Sequence, residues 1–99
     1  MILRILITAA FACAAPGAAA QDANARNLAA GCAICHGTGG HAVTKDLTTL
    51  AGLPRDHIAT QMRAFRDGKR PATVMHQIAK GYTDAQIEAI ATWYAAQKR

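Results

Sequence analysis

Apolar residues recur at helical spacings in three separate stretches of the chain, and no segment alternates apolar and polar positions as a half-buried strand would. Ala25, Leu28, Ala29 and Cys32 stand at i, i+3, i+4 and i+7. This is the stripe of an amphipathic helix, and it runs directly into a pair of cysteines. Ile58, Met62 and Phe65 form a second face. Pro54 is placed to open that helix, Asp56 to sit in its first turn and Gly68 to end it. Ile87, Ile90, Ala91, Tyr94 and Ala95 form the third stripe. Its start is the best marked: Thr83 precedes Gln86 by three residues as in a capping box, and Tyr82 and Ile87 are placed as a hydrophobic staple. The helix is predicted to run to about Gln97.

The connections carry their own information. Gly37 to Thr49 is polar and Gly-rich, a long loop that needs something to pack against. Between Gly68 and Tyr82 the order is Lys69, Arg70, Pro71, a short helical turn over Val74 to Lys80, and Gly81 as a cap. The pattern predicts an all-α domain with no internal repeat or linker. Ahead of it, Met1 to Ala20 combines an early charge at Arg4, an apolar run from Ile5 to Ala15, a Pro16-Gly17 break and the small residues Ala18-Ala19-Ala20. That is the pattern of a secretory signal peptide. We therefore divide the chain into a signal segment, 1–20, and a folded domain, 21–99, exported to the periplasm. The apolar run is shorter than the roughly 20 residues a transmembrane helix needs. Ala10-Phe11-Ala12-Cys13 is a poor lipoprotein signal without the usual leucine, so a lipid anchor at Cys13 is not expected.

Composition narrows the class. The 99 residues are 52% hydrophobic and 17% charged, too apolar for a disordered chain. The formal net charge of +5 comes with no run of Lys or Arg longer than two, which gives nucleic-acid binding little support. A domain this small rarely draws more than about 3–5 kcal/mol of net stability from its own core, so a staple is expected. With Cys13 in the signal, the domain keeps Cys32 and Cys35, and a disulfide between them would close too short a loop to be that staple.

Cys32-Ala33-Ile34-Cys35-His36 is the C-x-x-C-H arrangement of c-type haem attachment. Two thiols a helical turn apart can add to the two vinyl groups on one edge of a porphyrin, while the following imidazole turns towards the iron. A redox dithiol would need a preceding strand, and the segment before the motif is helical. A zinc site would need a second ligand pair, and His41, His57 and His76 are isolated. One covalent haem c, held by Cys32 and Cys35 with His36 as an axial iron ligand, is the reading that also supplies the staple. For the second axial position Met75 leads, in the turn-rich segment between two helices. Met62 shares a stripe with Ile58 and Phe65, where methionine is usually core. His76, adjacent in sequence but about 100° around a helical turn, is the rival among the histidines. A sixth position left open would instead make a gas-binding or peroxidatic protein.

The residues that carry these readings resemble the class I bacterial c-type cytochromes. Asn27-Leu28-Ala29-Ala30-Gly31-Cys32-Ala33-Ile34-Cys35-His36-Gly37 is similar to their first helix and haem motif, and Leu50-Ala51-Gly52 before the Pro54 helix to their middle. Phe65 to Arg70, Ala72 to Met75 and Ile78 to Asp84 are closer still to the cytochrome subunit of flavocytochrome c sulfide dehydrogenase and its relatives in sulfur oxidation. The resemblance implies a small all-α fold with crossed first and last helices and Leu28 near Trp93. It also implies thioethers at Cys32 and Cys35 and axial ligands His36 and Met75. One departure stands out: relatives often carry a proline before the middle Leu-Ala-Gly whose carbonyl accepts from the haem histidine, and Thr48 occupies that place here. A threonine also offers a carbonyl, in a less rigid loop.

The expected function is electron transfer, not catalysis: an exported monohaem cytochrome, the electron-accepting subunit of a sulfide- or sulfur-oxidising flavoprotein complex. The alternative is a free periplasmic shuttle to a terminal oxidase. Arg63, Arg66, Lys69 and Arg70 are a candidate docking surface for an acidic redox partner, or an ordinary solvated helix face.

Overall fold

The computed structural model describes residues 18–99; residues 1–17, Cys13 included, lie outside the described residues. Five α-helices follow one another without a strand among the described residues: α1 (Ala18–Ala30), α2 (Ala33–His36), α3 (Arg55–Arg66), α4 (Met75–Ala79) and α5 (Asp84–Ala95). This is the all-α architecture expected of the sequence. The first helix begins ahead of Ala25, because the apolar stripe marks only the face that packs, not the alanine-rich turns before it. Pro54 is the N-cap of α3, one residue short of the helix proper, and α5 stops at Ala95, short of Gln97.

The core lies where α1, α3 and α5 meet. Ala29, Ile58, Ala59, Met62, Ile87, Ile90, Ala91 and Tyr94 are buried there with Ala79 of α4, and Leu28 and Trp93 pack against them. Each helix contributes the stripe read from its spacing, which is how the apolar face of an amphipathic helix is removed from water. Tyr94 ties the first and last helices together, its hydroxyl donating to the Ala29 carbonyl at 2.6 Å. The Thr83 capping box is complete, with Gln86 N donating to Thr83 Oγ1 at 3.2 Å and Thr83 N to Gln86 Oε1 at 3.0 Å.

On the outer side, α3 and α5 are joined by ion pairs. Arg55 and Arg63 both reach Glu88, Arg66 reaches Asp84 at 2.6 Å and Asp67 at 3.3 Å, and Arg63 lies 3.5 Å from Asp84. The guanidinium groups hold the Asp84 and Glu88 carboxyls below the usual carboxylate range. Arg63 and Arg66 are therefore spent within the fold. Of the four basic residues read as a docking surface, Lys69 and Arg70 make no ion pair among the described residues, and Arg70 folds back over Phe65, 4.7 Å from its ring centroid.

Candidate functional site

The cysteine motif occupies one turn of helix after α1. Cys32 N bonds Ala29 O at 3.0 Å, His36 N bonds Cys32 O at 2.8 Å and Gly37 N bonds Ala33 O at 2.9 Å. The turn ends where it must, because Gly37 has φ +85° and a Cβ there would lie 1.8 Å from the His41 carbonyl oxygen. That position belongs to glycine alone. The chain then makes a short 3₁₀ turn, Thr38–Gly40, and an irregular loop to Pro54. The loop is clasped at its base, with Leu50 N and Ala51 N both donating to Gly40 O and Gly52 N to Tyr94 O. A side chain at Gly40 would strike the Tyr94 ring at 2.7 Å, so the loop lies directly on α5.

This folding brings Thr48 beside the haem-motif histidine. His36 Nδ1 donates to the Thr48 carbonyl at 2.7 Å, at the position where the resemblance implies a proline carbonyl in relatives. The bond fixes the ring plane and the tautomer: with the proton on Nδ1, Nε2 keeps its lone pair for a metal.

A cavity of about 460 Å³ opens beside the motif, within the roughly 300–1,000 Å³ usual for small-molecule and cofactor sites. Cys32, Cys35 and His36, from one helical turn, and Met75, from α4, all line it. Leu50, Leu53, Ile58, Phe65, Val74, Ile78 and Ile90 give it apolar walls. Asp46, Thr48, His57, Gln61 and Arg70 are its polar members. Several of the apolar residues are open to solvent, with Val74 at 53%, Ile78 at 42% and Leu47 at 37% exposure, a wall for a large flat apolar group.

The candidate second ligands divide by place. Met75 begins α4 and is half-buried at the cavity. Met62 also lines the cavity, but it belongs to the buried core. His76 and His41 do not line the cavity, whereas His57 does, from the exposed first turn of α3. His76 Nδ1 is buried without a partner.

Burial pushes the Cys32 thiol up, opposed by its hydrogen bond with Tyr94. Burial also raises the Tyr82 and Tyr94 phenols, with the nearby Cys32 charge adding to the effect. The environment thus favours a neutral thiol at Cys32. The donor set therefore fits a covalently attached haem: two thiols in one helical turn, an imidazole with a fixed tautomer, a thioether and an apolar cavity. Tyr82 and Gln61 were not legible as site residues, and Arg70 read only as part of a docking surface. Only the i, i+4 spacing of His57, Gln61 and Phe65 along α3 hinted that polar groups would reach the same face.

Residues 19–93 match the family described as "Cytochrome C oxidase, cbb3-type, subunit III". The chain is 40% identical over 96 residues to the "Thiosulfate dehydrogenase electron acceptor" of Thiomonas intermedia, covering 96% of the chain and 44% of that protein. It is 37% identical over 67 residues to the "Cytochrome subunit of sulfide dehydrogenase" of Chlorobaculum tepidum, covering 68% of the chain and 60% of that protein. It is 33% identical over 70 residues to "Cytochrome c-554(548)" of Halomonas halodenitrificans, covering 68% of the chain and 84% of that protein. The chain thus spans about half the length of the first two relatives. No helix among the described residues is long and apolar enough to cross a membrane.

Proposed function

The chain belongs to the cytochrome c family, as an electron carrier with covalently bound haem c, and from that premise we propose that it accepts single electrons from a sulfur-compound dehydrogenase in the periplasm. The bound haem supplies a one-electron ferric/ferrous couple. Cys32 and Cys35 would hold the macrocycle through two thioethers and His36 would present Nε2 to its iron, with the Thr48 carbonyl keeping that ring from rotating. Met75 would supply a thioether sulfur, a ligand that favours the ferrous state and raises the potential. Protein ligands from both His36 and Met75 would suit a carrier better than a catalyst. Val74, Ile78 and Leu47 keep the mouth of the cavity apolar, limiting water at the redox centre.

The observation that carries the reading is that one cavity gathers Cys32, Cys35, His36 and Met75. The donor class is supported by the printed names of two relatives, an electron acceptor of thiosulfate dehydrogenase and a cytochrome subunit of sulfide dehydrogenase. In the complex we propose, a flavoprotein dehydrogenase subunit delivers the electrons; the free-shuttle alternative shares every haem residue, and stable co-purification with a flavoprotein separates the two.

The haem assignment is tested by acid and organic-solvent extraction, after which the polypeptide is expected to remain coloured. A colourless polypeptide refutes thioethers at Cys32 and Cys35. Met75→Ala is expected to lower the potential and admit carbon monoxide or cyanide to the iron. Met62→Leu, a nearly volume-conserving core change, is expected to do neither, and the opposite pattern moves the ligand role to Met62.

A further inference from the structure

The face of α3 that walls the cavity carries a histidine. His57, Gln61 and Phe65 follow one another at four-residue intervals along that helix, and all three line the cavity. His36 belongs to the cysteine motif, while His41 and His76 do not line the cavity. His57 is at the same time exposed, in the first turn of α3. Its imidazole therefore meets both the wall of the redox site and bulk water, the two places a group must reach if it is to exchange protons with solvent and feel the charge of a bound cofactor.

The charged groups around His57 do not fix its charge state. On its own helix, Arg55 pairs with Asp56 at 2.6 Å and also reaches Glu88 of α5. The cavity lining adds Asp46 from the loop before α3, Arg70 from the turn after it and the Tyr82 phenol from ahead of α5. None of these forms an ion pair with His57 among the described residues. Carboxylates, guanidinium groups and phenols ordinarily titrate outside the range of about pH 5 to 8, and histidine within it. Once Cys32 and Cys35 carry thioethers and His36 a metal, His57 is the side chain of the lining left to change its charge near neutral pH.

We propose that His57 couples electron transfer to proton binding, taking a proton from water as an electron arrives and returning it as the electron leaves; this rests on the haem reading above. The cause is like-charge repulsion. The ferric site carries one more positive charge than the ferrous, and a nearby positive charge disfavours an imidazolium. Linkage is reciprocal, so a proton on His57 eases arrival of the electron by the same free energy with which the electron eases binding of the proton. Charge balances with one electron from the donor and at most one proton from solvent. The potential is therefore higher with His57 protonated and lower with it neutral, and it falls with rising pH between the titration midpoints of the ferric and ferrous protein.

The test uses holoprotein of the wild type, His57→Gln and His41→Gln, with two readouts besides electron-transfer rate: the equilibrium midpoint potential as a function of pH, and the NMR titration of the His57 ring protons in the ferrous and ferric protein. The wild-type potential is expected to fall across the histidine range, with a slope below one proton per electron. His57→Gln is expected to lose that fall, and His41→Gln, outside the cavity lining, to keep it. The His57 ring is expected to release its proton at lower pH in the ferric protein than in the ferrous. A wild-type potential flat across the range overturns the inference. A His57→Gln slope equal to the wild type overturns it as well, because the proton then belongs to another group, and so does an equal loss in His41→Gln. Should His57→Gln fail to accumulate, the ring titration of the wild type decides alone, identical midpoints in the two oxidation states being refutation. A wild type that carries no covalent haem refutes the haem reading itself and this inference with it, a result distinct from all of these.

Discussion

The two sides of the cavity are built by different means. The side made by α1, α3 and α5 satisfies itself: its stripes bury one another, its last helix is capped at the start, Tyr94 closes onto Ala29, and a row of ion pairs joins α3 to α5. The side made by α2, the loop to Pro54 and α4 has helices of four and five residues, and its Val74, Ile78 and Leu47 face outward from any polypeptide core. Short helices have little stability of their own, so this side is ordered by what it surrounds. A small cytochrome domain need not build a complete core; it builds half of one and lets the macrocycle supply the partner surface.

The sharpest way to break that comparison is to remove the attachment. Cys32→Ser with Cys35→Ser is expected to abolish covalent haem, and amide hydrogen exchange is expected to show the Gly37–Leu53 loop and α4 losing protection before α5. Equal loss of protection on both sides counts against the division. Next in size is Tyr94→Phe, which removes the hydroxyl's bond to the Ala29 carbonyl but leaves that carbonyl its bond from Cys32 N; this is expected to cost about 0.5–1.5 kcal/mol in denaturant unfolding of the holoprotein, with the visible spectrum little changed. A spectrum that changes as much as the stability would show that α1 and α5 position the haem as directly as the loop does.

The smallest effect concerns the ion pairs. Asp84 and Glu88 have carboxyls held below their unfolded values by Arg66 and Arg63. Their contribution is therefore present above the ordinary carboxylate range and is lost as pH falls through the depressed folded values. Because these pairs are largely exposed, the gain is slight and weakened by salt. Glu88→Gln is expected to unfold slightly more easily than the wild type at neutral pH, with the gap closing in acid. A gap that widens in acid contradicts the assigned sign.

Local chemistry was legible in the sequence, and long-range pairing was not. The Thr83–Gln86 box, the stripe of Ile58 and Met62, and the cysteine motif each depend on residues within a few positions, and all three stand where the spacing put them. Tyr94 could be placed on a buried stripe, but its bond to Ala29 joins opposite ends of the chain. Arg63, Arg66 and Arg70 read alike as basic residues near one helix end. What separates them is the rotation of α3, which turns the first two towards α5 and leaves the third to fold back over Phe65. Met62 and Met75 both reach the cavity, so location alone does not choose between them. Burial in the core against a place in the first turn of α4 is the distinction that favours Met75.

The partner of His36 is a main-chain oxygen, and this makes position 48 unusual in how it can vary. Any residue there presents the same acceptor, so replacing the threonine side chain leaves the imidazole's electronic environment almost untouched, while displacing the strand of loop that carries it would alter that environment at once. Drift at this position is therefore buffered, and sensitivity is exported to the clasp that sets the loop's height, where Gly40 O receives Leu50 N and Ala51 N. A lesion at that clasp, remote in sequence from the iron ligands, would be felt at the metal as a change of ligand basicity.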